Sequence, residues 1–231
     1  MGSTGRKKIA IVTNSKGSLL EHALRFETCN QKIDLLITDR ECGAIDVAKK
    51  YGKKCMTIIE ANNNEFSRKL CSVCKENQID FIISVFSRLF TEEILNEYEN
   101  KILNLHPSLL PAFPGMGSLK KAINSDVRYI GVTAHIIDHT IDGGPIIAQA
   151  IGCCDKGNKN QTMHKMFVAQ CKLLLQSVNY LSHDRIYFEN GILKIKDVIY
   201  GQDFFSPILD DADAIALDIP FPGEKFSTVP H

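Results

Sequence analysis

The stretch 80-DFIISVF-86 is apolar almost throughout after its opening Asp80. An amphipathic strand alternates polar and apolar positions; a run like this suits the centre of a parallel sheet, covered on both faces. Working outward, 7-KKIAIVT-13 has the same character and leads into a helix from about Ser18 to Cys29. 33-IDLLIT-38 is a second strand, followed by a short helix from Ala44 to Tyr51 that Gly52 closes. 55-CMTII-59 is a third strand, and a helix from Glu65 to Asn77 follows that Asn64 can cap. After 80–86, Thr91 can cap a helix to about Tyr98, and 101-KILNLH-106 is a fifth strand. Strands alternating with helices in this way predict a doubly wound parallel sheet.

Beyond His106 the pattern changes. Residues 107–118 form a Pro/Gly-rich loop, and Leu119 to Asn124 a short helix. The strands 130-IGVTAHII-137 and 145-PIIAQAI-151 are joined by 138-DHTIDGG-144 and should pair as an antiparallel ribbon. Gln161 to about Leu181 is a long amphipathic helix, and 185-RIYFENGILKI-195 reads as a hairpin turning at Asn190-Gly191. The tail from Gln202 is rich in Asp and Pro and only weakly patterned. The expected fold is α/β: an open, Rossmann-like, mostly parallel twisted sheet flanked by helices, with an antiparallel C-terminal portion.

Composition narrows the function. Lys+Arg and Asp+Glu are 27 each, so the 231-residue chain has no net charge. That disfavours a nucleic-acid partner held by overall charge. No apolar run reaches the length of a membrane span. The start, MGSTGRKK, is too short and too polar for a signal peptide, and residues 1–5 are set aside. Eight cysteines without a secretory signal read as reduced thiols of a cytoplasmic enzyme. Cys71-Ser72-Val73-Cys74 lies in an expected helix without a second pair at zinc spacing, so packing is favoured over a metal site. No metal is expected.

Asn104 and His106 are two apart on a strand, so they share a face, and they stand at its carboxyl end, where open α/β sheets bind ligands. Asp142 sits in a D-G-G-P turn able to approach a neighbouring loop. An amide donor, an imidazole and a carboxylate are the parts needed for acyl transfer to an amine. A strand-end His is also a common structural residue, and a D-G-G-P turn can be only a turn. His135, on the next strand near this site, reads as mainly structural.

The order N-x-H-P-S-L-L-P-x-F-P-G, then G-x-T-x-H, then I-D-G-G-P-I-I resembles the folate-dependent formyltransferases, and most nearly their phosphoribosylglycinamide branch. The resemblance runs from about Lys7 to Lys196 and is specific from Leu103 to Gln149. It implies 10-formyltetrahydrofolate as cosubstrate, a small-molecule amine as acceptor, and a monomer or homodimer without nucleic-acid or membrane partners. It implies that Asn104, His106 and Asp142 are the catalytic set, and that the Leu110–Pro111 bond is cis. It places the folate between Arg88, Leu89 and Phe90 on one side and a turn including Ile137 and Asp138 on the other. The domain would then span residues 6–200. Residues 6–106 form the Rossmann-like half, 107–200 carry the folate and catalytic loop, and 201–231 are a C-terminal tail.

The acceptor side departs from the family. Lys16, Gly17 and Ser18 occupy the phosphate loop, but Ser15 stands where its first glycine is expected and Leu19 where its Asn is expected. Gln170 takes the place of a Glu that holds ribose hydroxyls. Another acceptor, such as a hydroxylated ornithine or an amino sugar, therefore stays open. So does hydrolysis of the formyl folate, although that branch usually adds an N-terminal sensing domain and this chain begins at the first strand.

Overall fold

The first strand, β1 (Ile9–Thr13), is buried at all five positions, as an unbroken apolar run requires. The structure, a computed structural model, describes residues 6–222. The set-aside residues 1–5 and the end of the tail, 223–231, lie outside the described residues. After β1 come α1 (Ser18–Leu24), α2 (Glu27–Lys32), β2 (Ile33–Thr38), α3 (Gly43–Lys50), β3 (Lys54–Thr57) and α4 (Asn63–Glu76). Then follow β4 (Phe81–Val85), α5 (Glu92–Glu97), β5 (Ile102–His106), α6 (Ser118–Asn124), β6 (Tyr129–Ile136) and β7 (Ile146–Cys153). The chain continues with α7 (Lys159–Ser182), β8 (Ile186–Glu189), β9 (Ile192–Ile195), β10 (Phe205–Ser206) and α8 (Ala212–Ala216).

The eight-stranded sheet has the order β10-β7-β6-β5-β4-β1-β2-β3. Strands β1 to β5 run parallel to one another; β6 joins β5 antiparallel, and β7 and β10 follow antiparallel in turn. Strand order reverses between β1 and β4, the switch point at which open α/β sheets form a ligand crevice. Across that point Asn14 Nδ2 donates to Ser87 Oγ at 2.9 Å, tying the loop after β1 to the loop after β4.

Alternate residues feed two cores. Ile9, Ile11, Leu103 and Leu105 pack on the α7 side, and Ala10, Val12 and Ile102 on the α4 side. Asn104 and His106 continue the Ile102 face. On β6, the apolar Ile130, Val132, Ala134 and Ile136 all join the α7 core. The intervening Gly131, Thr133 and His135 therefore share the face of Asn104 and His106. There the loop after β5 and the turn before β7 take the place of a covering helix.

Local differences from the sequence expectations have local causes. The expected single helix over residues 18–29 is two, because Phe26 is extended (φ −85°, ψ 118°) and turns its ring into the core. The cap of α4 is Asn62, not Asn64: its Oδ1 accepts from the backbone N–H of Asn64 at 2.7 Å. Thr91 starts α5 without a side-chain cap bond. Asn190 and Gly191 both take positive φ, as the hairpin turn between β8 and β9 demands.

The weakly patterned tail is pinned to α7. Gln176, 1% exposed, accepts from the backbone N–H groups of Asp210 (2.9 Å) and Asp211 (3.0 Å) and donates to the Asp210 carboxylate. Asp211 caps α8 through Ala214 N at 2.9 Å, and β10 pairs with β7. Replacing Gln176 with Met keeps the volume but leaves the buried Asp211 N–H and the part-buried Asp210 N–H without their acceptor. The expected loss is about 2–4 kcal/mol of unfolding free energy, measured by urea denaturation. A loss under about 0.5 kcal/mol would show that these bonds do not hold the tail.

Candidate active site

Loop 107–117 is held from beneath by β6 and β7. Thr133, fully buried, donates its hydroxyl to Ser108 O at 2.8 Å and accepts from Leu110 N–H at 3.1 Å. Gln149 Nε2 donates to Leu110 O at 2.8 Å. Ser108 Oγ closes the loop on itself, donating to Ala112 O at 2.7 Å. The Leu110–Pro111 bond is cis. Gly131 completes this floor: a Cβ there would meet Ala150 O at 2.2 Å and Leu109 Cδ1 at 3.1 Å. The motif G-x-T-x-H thus has a physical meaning at period two: Gly131 lets the loop lie close, Thr133 anchors it, and His135 reaches Asn104. Thr133 and Gln149 were not among the candidates from sequence, although this alternation was the available signal.

Asp142 reaches this face by an unusual backbone. Its φ is +52°, in the left-handed region that Asp tolerates better than most residues. The turn needs the glycines beside it, since a Cβ on Gly144 would sit 2.1 Å from Ile136 O. So placed, Asp142 Oδ2 accepts from Gly115 N–H at 2.7 Å and lies 3.4 Å from His106 Nδ1. Its Oδ1 is 3.7 Å from His135 Nε2. His106, 6% exposed, directs Nε2 to Phe113 O at 3.1 Å. Asn104 Nδ2 is 3.2 Å from His135 Nε2. Burial lowers the His135 pKa against the opposing pull of the Ile136 carbonyl and Asp142.

Asn104, His106 and Asp142 face one cavity of about 710 Å³, the size of a small-molecule site. Leu89 stands at its mouth, 58% exposed, and Phe90 lines it, stacked on Phe86, which stacks on Phe66. Arg88 lines the cavity too, but its guanidinium is engaged elsewhere. It donates to Glu60 O (2.6 Å), Ala61 O (3.1 Å) and Asn63 Oδ1 (2.9 Å) and lies over the Phe66 ring. Ile137 and Asp138 form the opposite wall, and the Asp138 carboxylate accepts from Thr140 N–H at 2.8 Å. Gln170 reaches the same cavity from α7, its Nε2 3.5 Å from Leu105 O.

Lys16, Gly17 and Ser18 do not line this cavity. Lys16 and Ser18 are exposed, and the Gly17 N–H already donates to Ser15 Oγ at 3.2 Å. The two cysteines of the C-x-x-C are buried in the core beneath α4, where burial raises both thiol pKa values, that of Cys74 to about 12. Among the described residues no group of three or more His, Cys, Asp or Glu could hold a metal ion, and no helix is long and apolar enough to cross a membrane.

Replacing Thr133 with Val keeps the shape but removes the partner of Leu110 N–H and Ser108 O. The expected cost is about 2–4 kcal/mol of stability, read from chemical denaturation. Unchanged stability would mean that Thr133 does not anchor the loop.

Comparison with known proteins agrees with this geometry. Residues 7–177 match the family model described as formyl transferase. The phosphoribosylglycinamide formyltransferase of Bacillus subtilis (strain 168) is 29% identical over 185 residues, which cover 73% of this chain and 95% of that protein. The solved phosphoribosylglycinamide formyltransferase from Bacillus halodurans matches with a TM-score of 0.68 at 30% identity, covering 72% of this chain and 91% of that one. Glycinamide ribonucleotide transformylase 1 from Symbiobacterium toebii shares the fold with a TM-score of 0.76 at 23% identity, covering 83% and 95%. Spanned by that family model over most of its length and carrying the Asn-His-Asp cluster in one cavity, the chain belongs to the formyl transferase family of enzymes.

Proposed function

We propose that the chain moves the formyl group of 10-formyltetrahydrofolate to a primary amine, with glycinamide ribonucleotide, the acceptor in the names of its relatives, as the acceptor. One observation carries the reading: Asp142, on a strained backbone, lies within 3.4 Å of His106 at the floor of a cavity that Asn104 also faces. The folate would lie along Leu89, Phe90, Ile137 and Asp138. Arg88 would serve this wall indirectly, by holding residues 60–63 and the Phe66–Phe86–Phe90 stack in place.

The amine attacks the formyl carbon and forms the new C–N bond, while the carbonyl pair moves onto oxygen. Asn104 Nδ2 donates to this oxyanion, and His106 in its protonated form places positive charge beside it. Asp142 stabilises that charge and takes the proton the attacking nitrogen must lose. Collapse breaks the bond from the formyl carbon to folate N10, which receives the proton. Amine and formyl folate become formamide and tetrahydrofolate, so atoms and charge balance. His106 is held in readiness by Asp142 on one ring nitrogen and the Phe113 carbonyl on the other.

The acceptor side rests on Gln170 and the loop at Lys16, Gly17 and Ser18. Gln170 is neutral, and the Gly17 N–H is engaged within its own loop. A screen of glycinamide ribonucleotide, hydroxyornithine and an amino sugar, with release of the folate product followed, tests this half. Formylation of glycinamide ribonucleotide alone is expected. Formylation of another amine only would overturn the acceptor assignment, and formate release without any acceptor would make the chain a hydrolase. Replacing His106 or Asp142 with Ala should lower kcat/KM by about 10²-fold or more, with circular dichroism unchanged. Near-normal turnover in either variant would contradict the catalytic assignment.

A further inference from the structure

His135 is 2% exposed and is the β6 residue paired with Asn104 across the β5–β6 ladder. Its two ring nitrogens meet different partners. Nδ1 is 2.9 Å from Ile136 O, and a carbonyl oxygen only accepts, so Nδ1 carries the hydrogen. Nε2 lies 3.2 Å from the Asn104 carboxamide, and in a neutral ring whose Nδ1 carries the hydrogen it presents its lone pair there. Buried at 2% exposure, with the Ile136 carbonyl facing Nδ1, the ring is neutral, in the tautomer protonated on Nδ1. Burial, which disfavours the charged ring, works in the same direction.

The consequence falls on Asn104. A carboxamide can turn over and exchange its oxygen and nitrogen with little change of shape. Against a lone pair on His135 Nε2, the turned-over amide would set oxygen against lone pair, so nitrogen must face the ring. One of the two Nδ2 hydrogens is then on His135, and the other remains for a group in the cavity. A protonated His135 would invert this order, drawing Asn104 Oδ1 towards it and leaving the wrong end of the amide for an oxyanion. It would also compete with His106 for Asp142, whose Oδ1 is 3.7 Å from His135 Nε2 and whose Oδ2 is 3.4 Å from His106 Nδ1.

We propose that His135 is a positioning residue for formyl transfer. Through the chain Ile136 O to Nδ1–H to Nε2 to Asn104 Nδ2, it fixes which end of the Asn104 carboxamide meets the developing oxyanion. This rests on the formyl-transfer reading for the oxyanion, but not for the ring's tautomer.

The test has two arms on the full chain. In the first, ¹⁵N-histidine NMR, with His135 assigned by its disappearance in His135→Gln, should show Nδ1 protonated and Nε2 bare at neutral pH. A proton on Nε2 overturns the proposal whatever the chain catalyses. In the second, His135→Leu should lower kcat by about 10²-fold with the donor KM within about 2-fold, since a donor to the oxyanion acts in the transition state. His135→Gln keeps an acceptor and should recover about 10-fold of that loss. In an Asn104→Ala background, His135→Leu should cost less than about 2-fold further, because the two residues act as one unit. An equal loss in both backgrounds, or no recovery by Gln, overturns the positioning role. Absence of any formyl transfer by the unmodified chain would instead count against the function, with the NMR arm still deciding the tautomer.

Discussion

The antiparallel pairing of β6 on β5 sets Thr133 opposite His106 and His135 opposite Asn104, and the site is built on those two pairs. A strand has period two, so one register decides four side chains at once. Shifted by a single residue, β6 would turn Val132 and Ala134 towards the cavity and bury Thr133 and His135 under α7. Thr133 would then abandon the loop after β5, and His135 would abandon Asn104. The register is secured by the apolar half of β6: Ile130, Val132, Ala134 and Ile136 all lie in the α7 core. Hydrophobic burial on one face thus orients polar chemistry on the other.

That arrangement explains why the face of Asn104 and His106 carries no helix. Elsewhere both faces of the sheet are covered by helices, as parallel strands require. Over Asn104 and His106 the cover is loop 107–117 and the turn at Asp142, both of which must satisfy their own backbone groups. They do so with side chains rather than with a ladder: Thr133, Gln149 and Ser108 serve the loop, and Asp142 binds Gly115 N–H to join the two segments. Asp142 is therefore both a brace and, in the proposed mechanism, the carboxylate beside His106. The floor of the cavity is built tightly. The proposed acceptor elements are looser, with Gln170 at 3.5 Å from Leu105 O and Lys16 exposed outside the cavity.

Much of this was legible in the sequence because it rests on local rules. The apolar runs at 9–13 and 81–85 announce central strands, and the alternation after them announces crossovers. N-x-H at a strand end announces two groups on one face. The hairpin at Asn190-Gly191 follows from positive φ alone. What was not legible depends on distant partners. The break between α1 and α2 comes from the Phe26 ring finding the core, and the choice of Asn62 over Asn64 as cap comes from where α4 begins. Arg88 is expected beside the folate, but its donors meet carbonyl oxygens some 25 residues earlier, on a loop that only the fold brings near. The tail is weakly patterned because it is anchored by a buried Gln176 on α7 rather than by an apolar stripe of its own.

The central claim is that Asn104, His106 and Asp142 meet the formyl group in this one cavity. A crystal structure of the full chain with a 10-formyl folate analogue that cannot release its formyl group tests it most directly. The account predicts the formyl oxygen within about 3.2 Å of Asn104 Nδ2, the formyl carbon beside His106, and the pterin between Phe90 and Ile137. A folate seated elsewhere, or one whose formyl group points away from Asn104, would contradict it.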